Sequence, residues 1–239
     1  MKKLVLTVLS FFFVTQLFAQ NIETSFALYT GLMHFAGPSA TSSTAINKGF
    51  TNTSILNYTN NPYGSKTEFG FGIDLQAQLV TKKQFIAGLQ IGTEILKSKV
   101  DITGINSGSL PFPSKAEGST NINNNYINLN PYIGYRLPLP KVKLDILTGI
   151  EFGYITNSYE RGSAKADNGA TYKTQRDRKT VSVDNRLKFG LAAHYDRIGL
   201  TASYAYGLTN YLGSMIGGTN PSAHTEVIRI GVSFFIFND

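Results

Sequence analysis

The chain has 239 residues, no cysteine, 15% charged residues and a formal net charge of +7. The lack of cysteine excludes disulfides, thiol catalysis and cysteine-ligated metal ions. A positive net charge is compatible with nucleic acid or with anionic lipid as the counterpart, and the first residues of the chain decide between them.

The chain begins with a short cationic stretch, which is followed by an apolar run from Leu4 to Phe18. This run is shorter than the roughly 20 residues that a membrane-spanning helix needs. The layout predicts a secretory signal peptide over residues 1–19 that is cleaved between Ala19 and Gln20. Because an exported protein rarely meets nucleic acid, we expect no nucleic-acid partner and assign the positive charge to anionic lipid or lipopolysaccharide.

The remaining chain alternates apolar and polar residues with a period of two, which is typical of β-strands with two different faces. Phe69, Phe71 and Ile73, for example, alternate with Gly70 and Gly72. In chain order, this pattern predicts eight strands, over residues 22–34, 67–80, 84–97, 126–137, 142–154, 181–195, 198–208 and 225–237.

The connections between these strands alternate strictly between short and long. The short ones cover residues 81–83, 138–141 and 196–197, and the long ones cover about 35–66, 98–125, 155–180 and 209–224. Bacterial outer-membrane barrels have short periplasmic turns and long extracellular loops in this order. The sequence therefore predicts one all-β domain over residues 20–239, an eight-stranded antiparallel up-and-down transmembrane β-barrel in the outer membrane.

A soluble, lipocalin-like barrel with eight strands is the alternative fold. One face of the predicted strands is almost purely Phe, Ile, Leu, Val and Tyr, whereas the other face is rich in Gly and charged residues. In water the first face would form a continuous exposed apolar belt, which soluble monomers avoid. In lipid such a belt is required, and we therefore favour the membrane barrel.

The chain resembles the PorT-like outer-membrane β-barrels of Bacteroidetes and, more distantly, the small barrels of the OmpA/OmpX type. The resemblance rests on the signal ending 17–20, the eight alternating strands and the closing segment 230–237. It implies the barrel-assembly machinery as a partner during biogenesis, and it makes secretion-system or other envelope proteins candidate partners afterwards.

Charged residues on the polar face of the predicted strands form the first candidate site. Buried charges persist only when they are paired and hydrogen-bonded, and the interior of an eight-stranded barrel is narrow. We therefore predict a salt-bridge network that closes the lumen, with a channel for small solutes as the alternative. The predicted members are Glu68, Asp74, Glu94, Arg136, Lys143, Asp145, Glu151, Asp184, Arg186, Lys188 and Arg229.

The third long connection is the second candidate site, because its cations outnumber its carboxylates. Guanidinium and ammonium groups bind phosphate, so this connection is predicted to contact lipopolysaccharide, with a solvated loop as the alternative. The cations are Arg161, Lys165, Lys173, Arg176, Arg178 and Lys179.

A third set lies where the first and last strands are expected to meet. Ser222, His224 and Glu226 share the outward face with His34. The set is similar to that of barrel-type lipid A deacylases, in which histidine activates serine. In that family, however, His precedes Ser on one strand. We therefore expect no enzyme, catalytic residue, metal or cofactor, and keep a lipid A deacylase-like hydrolase as an alternative.

Overall fold

The computed structural model describes residues 21–49, 57–106, 113–213 and 220–238. The predicted signal peptide and its cleavage site lie outside these residues and stay a prediction. The strands are β1 (Asn21–Ala36), β2 (Ser43–Asn47), β3 (Tyr58–Thr59), β4 (Lys66–Val80), β5 (Phe85–Asn106), β6 (Ser114–Pro138), β7 (Lys143–Ala166), β8 (Thr171–Asp177), β9 (Val183–Tyr195), β10 (Ile198–Gly207) and β11 (His224–Asn238). Over the described ranges, no helix has the length and apolar character needed to cross a membrane.

Eight of these strands form a closed ring, in the order β1, β4, β5, β6, β7, β9, β10 and β11. Every neighbouring pair is antiparallel, and β11 returns to pair with β1 over Glu23–Ala36. Closure leaves no open sheet edge, so the backbone groups of the ring bond to one another. The predicted eight-stranded up-and-down barrel is therefore confirmed.

The two faces of the ring differ in the way the alternation predicts. Phe69, Phe71, Leu200 and Ile133 on the outward face are 62–66% exposed. Together with the other outward Ile, Leu, Val, Phe and Tyr side chains, they form an apolar belt around the barrel. An exposed belt of this extent is unfavourable in water, so the soluble lipocalin-like alternative is wrong for this chain.

Glycines on the inward face make room for tyrosines from the neighbouring strand. A Cβ atom on Gly72 would lie 2.5 Å from the hydroxyl oxygen of Tyr29, and one on Gly88 would lie 2.3 Å from that of Tyr132. The narrow interior therefore holds large aromatic rings only because the facing positions carry no side chain.

The long connections contain more strand than the sequence predicts. The predicted loop over 98–125 consists largely of the outer ends of β5 and β6, and the predicted loop over 155–180 contains the outer end of β7 and all of β8. Asn and Ser have low intrinsic strand propensity, but pairing with neighbours already in register overrides it. We call β2, β3, β8 and the outer ends of β5, β6 and β7 the crown.

The crown has a small apolar core of its own, separate from the barrel. Ile46 on β2, Ile102 and Ile105 on β5, and Ala116 and Ala164 on β6 and β7 are buried together. Strand β2 pairs with β5 in parallel, which places Ile46 beside the end of β5. This core explains how the crown holds its strands beyond the apolar belt.

Candidate functional site

The first charged cluster fills the barrel next to the short turns, and Arg136 is its centre. Its Nη atoms donate to both carboxylate oxygens of Glu23 at 2.7 Å, and its Nε and Nη2 donate to Asp145 at 2.7 and 2.8 Å. Such two-pronged pairs are the strongest geometry available to arginine. Because Glu23 lies on β1 and Asp145 on β7, on opposite sides of the ring, the pairs cross the lumen.

Neighbouring polar groups complete this lower cluster. Gln78 donates to Glu23 at 2.7 Å and accepts a hydrogen bond from the hydroxyl of Tyr132 at 3.0 Å. Lys143 contacts Glu23 at 3.4 Å, and the buried ring of His194 lies 3.8 Å from Asp145. Every carboxylate in the cluster therefore faces at least one cation.

A cavity of about 60 Å³ lies above the lower cluster. Its polar lining includes Asp74, Gln90, Asn130 and Lys188, and Gln90 donates to Asp74 at 2.8 Å while Lys188 donates to Gln90 at 2.8 Å. A polar cavity of this size has room for a few water molecules.

The second charged cluster lies above the cavity and contains two buried arginines. Arg186 donates to Glu94 at 2.9 Å, to Glu151 at 3.0 Å and to Asp184 at 2.9 Å. Arg229 donates to Glu94 and Glu151 at 2.8 Å, and Lys188 donates to Glu151 at 3.0 Å. Three cations on β9 and β11 thus face three carboxylates on β5, β7 and β9, which is the pairing that buried charges require.

Aromatic rings connect this upper cluster to an apolar cap. The guanidinium of Arg186 lies 4.3 Å from the ring centroid of Tyr126, and the hydroxyl of Tyr211 donates to Asp184 at 3.0 Å. Burial raises the pKa of Tyr211 well above its usual value, so this hydroxyl stays a hydrogen-bond donor. Further buried members of the cap are Met33, Phe35, Tyr63, Leu96, Ile122, Ile155, Leu212 and Val227.

Nine of the predicted lumen residues belong to the two clusters, and two differ. Glu68 is half-buried and accepts a hydrogen bond from the backbone N–H of Phe69, at 3.3 Å. Asp74 is buried and bonds to Gln90, but within the described ranges it forms no ion pair. Both residues have the predicted inward parity, yet among the residues that the structure describes no cation comes within ion-pair distance of either.

Sequence reasoning missed several members of the clusters. Glu23 lies within the first predicted strand and has the same inward parity as Ser25 and Ala27. The alternation of that strand was therefore a signal that could have identified it. Tyr211 follows β10 in the last long connection, and no periodic signal marks it. Its role depends on the connection folding back into the barrel.

Glu160 organises the crown and was also missed. Its Oε1 accepts hydrogen bonds from the backbone N–H and the hydroxyl of Thr59, at 3.0 and 2.9 Å. Its Oε2 accepts from Nε of Arg178 at 2.7 Å, and a second nitrogen of Arg178 donates to the carbonyl of Thr59 at 2.6 Å. This buried carboxylate therefore joins β7, β3 and the segment after β8.

The predicted phosphate-contacting cations all lie in or beside the crown, but they are not equivalent. Arg161, Lys165, Lys173, Arg176 and Lys179 are exposed. Arg176 lies 4.1 Å from the ring centroid of Tyr58, an arrangement favourable for a cation on an aromatic face. Arg178 differs from these five cations, because Glu160 and Thr59 already bind its guanidinium inside the crown.

The serine, histidine and carboxylate set does not assemble into a hydrogen-bonded triad. His34 and Glu226 are cross-strand neighbours with 3.7 Å between their side chains, whereas His224 lies 3.3 Å from the carbonyl oxygen of Thr209. Among the contacts of the described residues, neither imidazole bonds to the hydroxyl of Ser222. No group of His, Asp and Glu in the described part of the chain could hold a metal ion.

Comparison with solved structures returns small outer-membrane barrels at low identity. Ail, the attachment invasion locus protein of Yersinia pestis, is 9% identical, with 92% of this chain and 100% of Ail covered and a TM-score of 0.33. Neisserial surface protein A is 12% identical over 87% and 96% of the two chains, with a TM-score of 0.31. The outer membrane protease OmpT from Escherichia coli is 11% identical over 90% and 97%, with a TM-score of 0.37.

The similarity of these structures to the chain carries no functional argument. No curated protein matches the chain. Residues 18–213 match the family model described as an outer membrane protein beta-barrel domain, which is most of the chain. With its closed ring and apolar belt, the chain therefore belongs to this family of outer-membrane β-barrel proteins and is located in the outer membrane.

Proposed function

We propose that the protein is a closed outer-membrane barrel that acts as an interaction protein through its crown. The observation that carries the proposal is the barrel interior, where two charged clusters, one on each side of a small cavity, cross the lumen below an apolar cap. Arg186, which is fully buried, bonds to three carboxylates at once. A solute on this path would have to separate these pairs, and breaking a buried pair costs about 3–5 kcal/mol.

Liposome conductance tests the closed lumen. We expect the reconstituted protein to give no steady current above that of protein-free vesicles, because the paired arginines occupy the axis at two levels. An open porin in the same vesicles serves as the positive control. Steady channels of appreciable conductance would favour the alternative, a channel for small solutes.

The crown supports the second part of the proposal, because closing the barrel does not require it. It has its own apolar core, and the network around Glu160 fixes it in one arrangement. Its exposed face combines cations with tyrosine rings, as in the contact between Arg176 and Tyr58. Ordered surfaces of this composition suit recognition of anionic groups. Lipid, lipopolysaccharide and envelope proteins are the proposed partners.

Photo-crosslinking in intact outer membranes tests this interaction role. A photoreactive residue in place of Gln175, which is exposed on β8, is expected to capture a protein that the same residue in place of Lys141 does not capture. Lys141 lies in a short turn at the opposite end of the barrel and serves as the control. The barrel-assembly machinery can react at either position during biogenesis.

The identity of the captured protein decides the finer assignment. Secretion components at position 175 would support the PorT-like role within Bacteroidetes that the sequence resemblance suggests. Equal or no protein capture at the two positions would contradict the interaction role. Lipid A from the same membranes is expected to keep all its acyl chains, and loss of one would favour the deacylase-like alternative.

A further inference from the structure

We propose that the outer faces of β5, β6 and β7 form a binding site for a phosphorylated lipid, with Lys97, Lys99 and Arg161 as its cations. The proposal rests on the proposed interaction role of the crown, which includes these strand ends, and names a lipid ligand for it; it does not depend on any protein partner. It differs from the sequence prediction, which assigned phosphate contacts to the third long connection alone.

Strand register brings these three cations onto one surface. Lys99 pairs with Asn121, and Asn121 pairs on its other side with Arg161. Two strand spacings of about 4.8 Å place the backbones of Lys99 and Arg161 roughly 10 Å apart. Lys97 lies two residues before Lys99 and therefore shares its outward face.

The position of the cations relative to the apolar belt suits a lipid headgroup. Thr93 pairs with Ile127, whose 49% exposed side chain belongs to the upper part of the belt. Lys97 is four residues further along β5, which is roughly 13 Å along the strand and roughly 10 Å above the belt residue at a tilt of about 40°. The cations thus lie on the lipid-facing surface, just above the apolar belt, at the level of the charged lipid headgroups.

The charge on this surface is not neutralised by the protein. Among the described residues, no carboxylate lies within ion-pair distance of Lys97, Lys99 or Arg161. Asp101, the next outward residue on β5, pairs with Lys66. Asn121, Asn123, Asn125 and Asn157 add hydrogen-bonding amides around the cations. In a phosphorylated, acylated lipid, the phosphate would pair with the cations while the acyl chains contact the adjoining apolar belt.

Retention of lipid A by the full-length protein tests the site. Nanodiscs of neutral phosphatidylcholine with a small fraction of bisphosphorylated lipid A are the probe, and native mass spectrometry counts the lipid A molecules that stay bound. The triple variant Lys97→Gln/Lys99→Gln/Arg161→Gln is expected to bind lipid A about 10- to 100-fold more weakly, since each surface cation contributes roughly two- to fivefold.

The control removes the same charge from the other end of the barrel. The variant Lys82→Gln/Lys83→Gln/Arg197→Gln is expected to stay within about twofold of the wild type, because its cations are divided between two short turns that lie apart around the ring and do not form one surface. Equal retention by the two triple variants would overturn the proposal, as would equal binding of dephosphorylated lipid A to the wild type. Competition by millimolar inorganic phosphate as effective as that by lipid A would show a free-phosphate site instead. None of these results depends on protein partners of the crown.

Discussion

The Arg186→Leu variant is expected to lose about 3–5 kcal/mol of the free energy of unfolding. The substitution leaves Glu94, Glu151 and Asp184 in the lumen with two cations instead of three. A carboxylate that is buried without a partner costs far more than the packing of a leucine regains. The measurement is the urea midpoint of folded protein in detergent micelles, followed by far-ultraviolet circular dichroism.

Arg197→Leu is the matched control for this experiment, because Arg197 is exposed in the turn between β9 and β10. Its free energy of unfolding should change by no more than about 0.5 kcal/mol. Arg186→Lys is expected to fall between the two, because an ammonium keeps the charge but lacks the planar fork that reaches three carboxylates. Similar midpoints for the Arg186 and Arg197 variants would show that the upper cluster contributes little to stability.

The Glu160→Ala variant is expected to release part of the crown while the barrel stays folded. Without the carboxylate, Arg178 is left without its ion-pair partner and Thr59 loses two hydrogen bonds. Loss of a buried ion-pair partner costs about 3 kcal/mol, which raises the fraction of molecules with a locally open crown on the order of 100-fold. Trypsin should therefore cleave after Arg178 and Lys179 faster by a similar factor.

Glu117→Ala provides the control for this second prediction, since Glu117 is an exposed carboxylate on the outer end of β6. Trypsin should cleave this variant at the wild-type rate. The urea midpoint of the barrel should be nearly the same in both variants, because the crown has its own apolar core. Equal cleavage of the two variants would mean that Glu160 does not hold the crown together.

Part of this architecture could be predicted from the sequence because strand periodicity is a local property. Successive side chains point to opposite faces, so the positions of Phe69, Phe71 and Ile73 alone indicate one apolar face. The same alternation assigned Arg136, Asp145 and most other lumen charges to the interior. It also led to the correct number of barrel strands, since short turns and long connections separate the alternating segments in a regular order.

In the Asn-rich segments, the local sequence pattern was not sufficient to predict the strands. Residues 121, 123, 124 and 125 are asparagines and were predicted to belong to a loop, yet all four lie within β6. Their strand conformation comes from pairing with β5 on one side and β7 on the other, which no short window of sequence contains.

The sequence by itself determined the fold class, the inward parity of the charges and the membrane location, because these follow from a period of two and from the apolar face that lipid requires. Only the tertiary structure decided which charges meet. Arg136 and Glu23 are 113 positions apart and bond because ring closure and strand stagger place them at one height across the lumen. The same geometry directs Arg178 into the crown and brings Lys97 and Lys99 level with Arg161, so the candidate sites depend on contacts between strands distant in sequence.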